Sequence, residues 1–275
     1  DDDSTAYSVG YVSGREAAAV GCNWDFGPVC DLLYNWRNTI VNTRAYGKDP
    51  ELVIKNAKAY VRGVRESGLA VCCKHFPGDG IEELDQHLVM GVNTMECDEW
   101  DSTFGHVYKE MIDSGIQSIM AGHIALPEYS RKLRPGIKDE DIMPATLAPE
   151  LITDLLRGKL GFNGLVLTDA SHMAGMTAAM PRSQQVPGAI AAGCDMFLFF
   201  NDIEEDFCYM MDGYRNGIIT EERLTDALRR ILGLKASLKL HEKKKKGTLI
   251  PEKEGLSVVG CAEHLAMAAE AAKKS

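Results

Sequence analysis

The chain has 275 residues, enough for one large α/β domain or two small ones with a substantial buried core. Its formal charge of -10 and pI near 5.2 argue against nucleic acid as the main partner, because a phosphate backbone is met by a basic face. No apolar run of about 18 residues is present to span a membrane, and the opening Asp1-Asp2-Asp3-Ser4 has no signal-peptide pattern.

Taken in chain order, residues 5–21 read as a helix, and Cys22–Val29 holds a short strand. Asp49-Pro50 opens a helix that runs to about Gly68. The apolar run Leu69–Cys73 reads as a buried strand. Helix 98–114, strand Ile116–Ala121, helix 146–160, strand Gly164–Thr168, helix 186–192 and strand Asp195–Phe200 follow. Helices 203–216 and Thr220–Leu240 come next. Residues 1–240 form the expected main unit. The tail 241–275 carries the run Lys243–Lys246, read as a solvated linker, and a last helix near 261–273. Strands alternating with helices predict a parallel sheet with crossover helices. The five strands counted are too few for a closed eight-stranded barrel, so either strands lie upstream of residue 1 or the sheet is open.

Eight cysteines in a chain this long do not resemble a disulfide framework. Cys72, Cys73 and Cys194 fall in apolar runs where a free thiol acts as a small hydrophobe, so a reducing, cytoplasmic setting is expected. No Cys-x-x-Cys or His-Glu-x-x-His spacing is present, and neither metal nor cofactor is expected.

Parallel sheets gather their chemistry at the carboxyl ends of the strands. Asp31 follows the first strand, Lys74 and His75 the second, His123 the third, Asp169 the fourth, and Asn201-Asp202 the fifth. Each has a bland reading as well: Asp31 and Asp169 as helix N-caps, His123 as a core-edge histidine bonded to a carbonyl, and Asn201-Asp202 as an Asx turn. The densest group is Lys74–His87, KHFPGDGIEELDQH, in which Pro77-Gly78-Asp79-Gly80 starts a loop that ends in Asp85-Gln86-His87.

That stretch, together with Gly161-Phe-Asn-Gly-Leu-Val-Leu-Thr-Asp169, resembles the catalytic domain of glycoside hydrolase family 3, in particular its β-N-acetylhexosaminidase branch. Asn23–Asp31, Arg44–Pro50, Met120–His123 and Ala191–Met196 match further motifs in the same order. The resemblance implies a TIM-like (β/α)8 barrel catalytic domain over 1–240, here lacking its first strand or strands, with 241–275 as a lead into a second domain. It implies a retaining exo-β-N-acetylglucosaminidase acting on cell-wall or chitin-derived fragments. Asp169 would be the nucleophile, and His87, oriented by Asp85, the acid/base. Asp31, Arg44, Lys74, His75 and His123 would bind the terminal sugar. A mobile loop would carry His87 over the bound sugar. The Asp-Gln-His triplet departs from the branch's more frequent Asp-Ser-His only at the spacer. Three alternatives stand beside this one: a phosphorylase, because an imidazole repels incoming phosphate less than a carboxylate does; a β-glucosidase whose acid comes from another domain; and an inactive sugar-binding fragment.

Overall fold

A computed structural model describes residues 3–274. Helix α1 (Ser4–Ala19) is followed by strand β1 (Trp24–Asp25), helix α2 (Pro50–Arg65) and strand β2 (Ala70–Phe76). Next come β3 (Gly91–Val92), α3 (Cys97–Ser102), α4 (Phe104–Asp113), β4 (Ser118–Ala121), β5 (Ile124–Ala125) and α5 (Pro127–Leu133). A π-helical segment (Glu150–Lys159) leads to β6 (Leu165–Ala170), then α6 (Ala174–Thr177), α7 (Arg182–Ala192) and β7 (Met196–Leu198). Helices α8 (Ile203–Arg215), α9 (Glu221–Ser237), α10 (Leu240–Lys246) and α11 (Ala262–Lys274) complete the described chain.

The main sheet has five strands in the order β1-β2-β4-β6-β7, every neighbouring pair parallel, and it curls into part of a barrel wall. Trp24 pairs with Ala70, Cys72 with Ser118, Ser118 with Leu165 and Leu167 with Met196. This sequence makes such a sheet because the first four residues of β2, all of β4 and the first four residues of β6 are apolar or small and buried on both faces. The helices close against the sheet by ordinary means. Asp49 caps α2, accepting a hydrogen bond from Glu51 N, and Pro50 occupies the first turn. Val53, Ile54, Ala57, Val61 and Val64 then form the buried stripe of α2. Helix α1 lies on α2 at near backbone contact: a Cβ on Gly63 would stand 2.3 Å from the Tyr7 carbonyl oxygen, so only glycine fits the crossing.

At the amino end of the sheet, buried Asp195 accepts from Arg157 Nη2 at 2.7 Å, from Val166 N at 2.9 Å and from Arg223. Arg230 Nη1 stands 3.5 Å away. The π-helical segment, β6, β7 and α9 are thereby tied together at one carboxylate, on the side away from the carboxyl ends of the strands. Ile231 and Leu234 of α9 pack on Cys72, Met120, Leu165 and Leu167 of the sheet.

The structure departs from the sequence reading in four places. Strand β2 runs three residues further, to Phe76, because Phe76 is fully buried and meets Tyr108 edge-on at 5.2 Å. The helix read as 98–114 breaks at Thr103, whose hydroxyl turns back to the Glu99 carbonyl at 2.7 Å. The run Lys243–Lys246 lies in the exposed helix α10, which ends at Gly247 in the left-handed region. A separate parallel pair, β3 with β5, had no counterpart in the reading; strands of two residues leave no periodicity to detect. Among the described residues, no helix is long and apolar enough to cross a membrane.

Candidate active site

The carboxyl ends of β2, β4 and β6 converge. His75 lies within β2, with its Nδ1 2.7 Å from Asp31 Oδ2. Asp31 is fully buried; its other oxygen accepts from His75 N at 3.1 Å and Asp79 N at 2.9 Å. Burial opposes its charge, yet the His75 ring and these two backbone donors outweigh that and hold the carboxyl below its ordinary range. An ionised Asp31 makes His75 Nδ1 the donor and turns Nε2 outward, 3.9 Å from Asp169 Oδ2. The expectation that Asp31 touches a sugar is therefore corrected: its acceptors are spent on orienting His75 and closing the turn.

Asp169 stands in β6, its side chain 16 % exposed, with Oδ1 accepting only from Ala170 N at 2.7 Å. It caps no helix, so the bland reading of this residue fails. Asp202, by contrast, accepts from Glu204 N and Glu205 N at 2.9 Å and is the N-cap of α8. Lys74 also projects from β2. Burial, with the Arg44 guanidinium next in weight, pulls its ammonium below the ordinary lysine range, while the Asp169 carboxylate works the other way. Arg44 itself is exposed at the end of a short turn, its Nη1 3.4 Å from the Ile40 carbonyl.

His123 differs from its expected role. It is fully buried, with Nε2 2.9 Å from the Ala170 carbonyl and Nδ1 3.0 Å from Thr146 Oγ1. A carbonyl only accepts, so Nε2 bears the hydrogen, and a neutral ring then accepts from Thr146 at Nδ1. No ring nitrogen is left for substrate; the carbonyl-bonded core-edge reading holds. Burial lowers the His123 pKa from its ordinary 6.5. Between that lowered value and 6.5 the unfolded chain binds more protons than the folded one, so stability rises with pH and is lost as pH falls below 6.5. Urea unfolding of the complete protein at about pH 7.5 and about pH 5.5 is expected to show a larger acid loss in wild type than in His123→Asn. An equal loss in both would remove His123 as its source.

The loop that follows β2 turns on glycine. A Cβ on Gly80 would stand 2.2 Å from the Leu32 carbonyl oxygen, and its φ of +106° lies where side chains rarely go. Trp100 Nε1 donates to the Pro77 carbonyl at 2.9 Å and fixes the turn from beneath. The loop then presents the pair expected from sequence: His87 Nδ1 is 2.7 Å from Asp85 Oδ1, and the His87 side chain is 54 % exposed. His87 and Asp169 are both close enough to weigh on the titration of His123. The loop is less free than the sequence suggested. Its far end is pinned to the first turn of α6, with Ala174 N donating to the His87 carbonyl at 2.9 Å and Gly175 N to the Gln86 carbonyl at 3.1 Å.

Two residues here escaped the sequence reading. Asp79, taken as a turn residue, is buried, and burial together with the charge of Asp31 raises its pKa. Gln86, taken as a spacer, is 1 % exposed. No local signal marked either one, because both lie in a loop that has neither a strand nor a helix period.

A carboxylate at a strand end, an imidazole 3.9 Å from it, and an exposed Asp–His pair on the adjoining loop make a candidate enzyme site with a nucleophile and a proton donor to hand. The chain belongs to glycosyl hydrolase family 3, whose N-terminal domain matches residues 1–234. It is 52% identical over 264 residues to a β-N-acetylglucosaminidase/β-glucosidase of Cellulomonas fimi, covering 96% of this chain and 46% of that protein. It is 34% identical over 200 residues to a β-hexosaminidase of Chromobacterium violaceum, covering 73% of this chain and 53% of that one. Among solved structures it superposes on the β-glucoside phosphorylase BglX with a TM-score of 0.96 at 43% identity, over 100% of this chain and 49% of that chain. It superposes on a family 3 β-N-acetylglucosaminidase from Paenibacillus sp. with a TM-score of 0.87 at 27% identity, over 100% of this chain and 50% of that chain. The chain thus spans about half the length of the relatives it matches.

Proposed function

We propose that this chain provides the sugar-cleaving face of a retaining exo-β-N-acetylglucosaminidase, its curled sheet being part of a (β/α)8 barrel. The observation that carries the reading is the exposed, Asp85-bonded His87 on the same strand-end face as Asp169. In the first step an Asp169 oxygen attacks the anomeric carbon and forms a glycosyl ester. His87 gives the proton on Nε2 to the glycosidic oxygen, which leaves as an alcohol. In the second step His87 takes a proton from water as that water's oxygen attacks the anomeric carbon, and the sugar departs with its β configuration. Asp85 keeps Nδ1 protonated throughout and steadies the cationic ring that stands before the first step and forms again in the second; the ring is neutral while the glycosyl ester exists. Lys74, His75 and Arg44 contribute donors around the terminal sugar, while Asp31 and His123 hold that frame in place.

A second reading is favoured by the similarity to a β-glucoside phosphorylase over the whole chain. Phosphate would replace water in the second step, drawn by Arg44 and Lys74 and met by an imidazole rather than a second carboxylate. One experiment separates the two: the complete protein with 4-nitrophenyl N-acetyl-β-glucosaminide and the matching glucoside, with and without inorganic phosphate. The free sugar as product supports hydrolysis, and a glycosyl phosphate appearing only with phosphate supports phosphorolysis. Release of neither from either substrate would sink both.

A further inference from the structure

We infer that Gln86 is a positioning residue that sets the acid/base His87 against the nucleophile, an inference that rests on the reading of His87 given above. Its side-chain amide makes two bonds of opposite sense. Nε2 donates to Asp79 Oδ2 at 3.1 Å, and Oε1 accepts from His123 N at 3.1 Å. A backbone N–H only donates, so the orientation of this amide is fixed by its partners.

Each bond leads to Asp169 by a separate path. On one side Asp79 donates its backbone N–H to Asp31, which holds His75, whose Nε2 is 3.9 Å from Asp169. On the other, His123 bonds the carbonyl of Ala170, the residue after Asp169. Gln86 closes the circuit between these paths, and His87 is its next neighbour in the chain. Asp79 is itself held rigidly, accepting from Asn38 Nδ2 at 2.8 Å and Gly80 N at 2.6 Å. The Gln86 carbonyl is boxed in as well, since a Cβ on Gly175 would lie 2.6 Å from it. A side chain at this position must carry one donor and one acceptor in a flat group of this reach. An amide meets that requirement, and so does a protonated carboxyl. The shorter serine hydroxyl does not reach both partners, so a Ser at this place in a relative must fix its loop by other contacts.

Misplacing a catalytic group by about 1 Å costs on the order of 100-fold in rate. The test compares an alkyl glycoside, whose leaving group needs a proton, with an activated aryl glycoside, whose leaving group does not, using the complete protein. Gln86→Met keeps the length and removes both bonds. It is expected to lower kcat/KM, which reads the bond-breaking step alone, by roughly 100-fold on the alkyl glycoside and far less on the aryl glycoside. Gln86→Glu, should the Met variant fail to fold, gives an independent answer. Its protonated form reproduces both bonds, and its ionised form sets a second carboxylate against Asp79. Its activity on the alkyl glycoside should therefore shift to lower pH than that of wild type. Equal losses of kcat/KM on both substrates with Gln86→Met, or a Gln86→Glu pH profile matching wild type, would overturn the inference. His87→Ala in the same series separates this failure from that of the underlying reading. Loss of kcat/KM independent of the leaving group in His87→Ala counts against His87 as the acid, whereas leaving-group-dependent loss there but not in the Gln86 variants counts against Gln86 alone.

Discussion

Replacing Asp169 by glycine is expected to lower kcat by roughly 10⁴-fold or more on an aryl glycoside, with the protein still folded and still binding the sugar. The size follows from the chemistry assigned to this carboxylate. Without it no glycosyl ester forms, and the remaining groups can only bind and polarise the substrate. The fold should tolerate the change, because Asp169 accepts one local hydrogen bond and is not among the buried charged groups. Azide supplies a sharper check, since a small anion fits the space left by the carboxylate. It should restore turnover and give a glycosyl azide of inverted configuration by a single displacement. Activity of Asp169→Gly within about tenfold of wild type would be incompatible with a nucleophile at this position.

His87→Ala is expected to lose about 10²- to 10⁴-fold on an alkyl glycoside and far less on an activated aryl glycoside in the bond-breaking step. The second step then discriminates between acceptors. Water needs a base to remove its proton, so the variant should accumulate glycosyl-enzyme, seen as a burst of aryl alcohol followed by slow turnover. Phosphate arrives already ionised and needs no such base, so in a phosphorylase its addition should clear the burst and restore the rate. Full activity of the variant on an alkyl glycoside would place the acid in another part of the protein and leave His87 as a bystander of the loop.

Much of this arrangement was legible in the sequence because apolar strands alternate with amphipathic segments, and that pattern fixes a parallel sheet with its chemistry at one edge. Asp169 and the Asp85/His87 pair were singled out by motif; in the structure Asp169 lies in β6, and His87 is bonded to Asp85 on the loop after β2. What the sequence did not carry was the direction in which polar side chains are spent. Asp31 and His123 have the same residue types as sugar-binding groups, but their hydrogen-bonding capacity is consumed by partners far along the chain: His75 for one, Thr146 and Ala170 for the other. Gln86 and Asp79 were missed for the converse reason. A turn and a spacer look solvated until the fold buries them, and their partners Asn38 and His123 are more than 30 residues away. The break at Thr103 likewise depends on one hydroxyl turning back onto the helix, which no periodicity registers.

The knot at Asp195 has a practical side. Three arginines from the π-helical segment and α9 meet one buried carboxylate, at the opposite end of the sheet from His87 and Asp169. The knot and the candidate site thereby lie in different sequence segments. A mutant library confined to 150–160 and 221–237 would search for heat tolerance while leaving the sugar preference untouched, and one confined to the loops after β2 and β6 would do the reverse. The two collections could then be recombined with little interference, since distant sites with no shared partners contribute nearly additively.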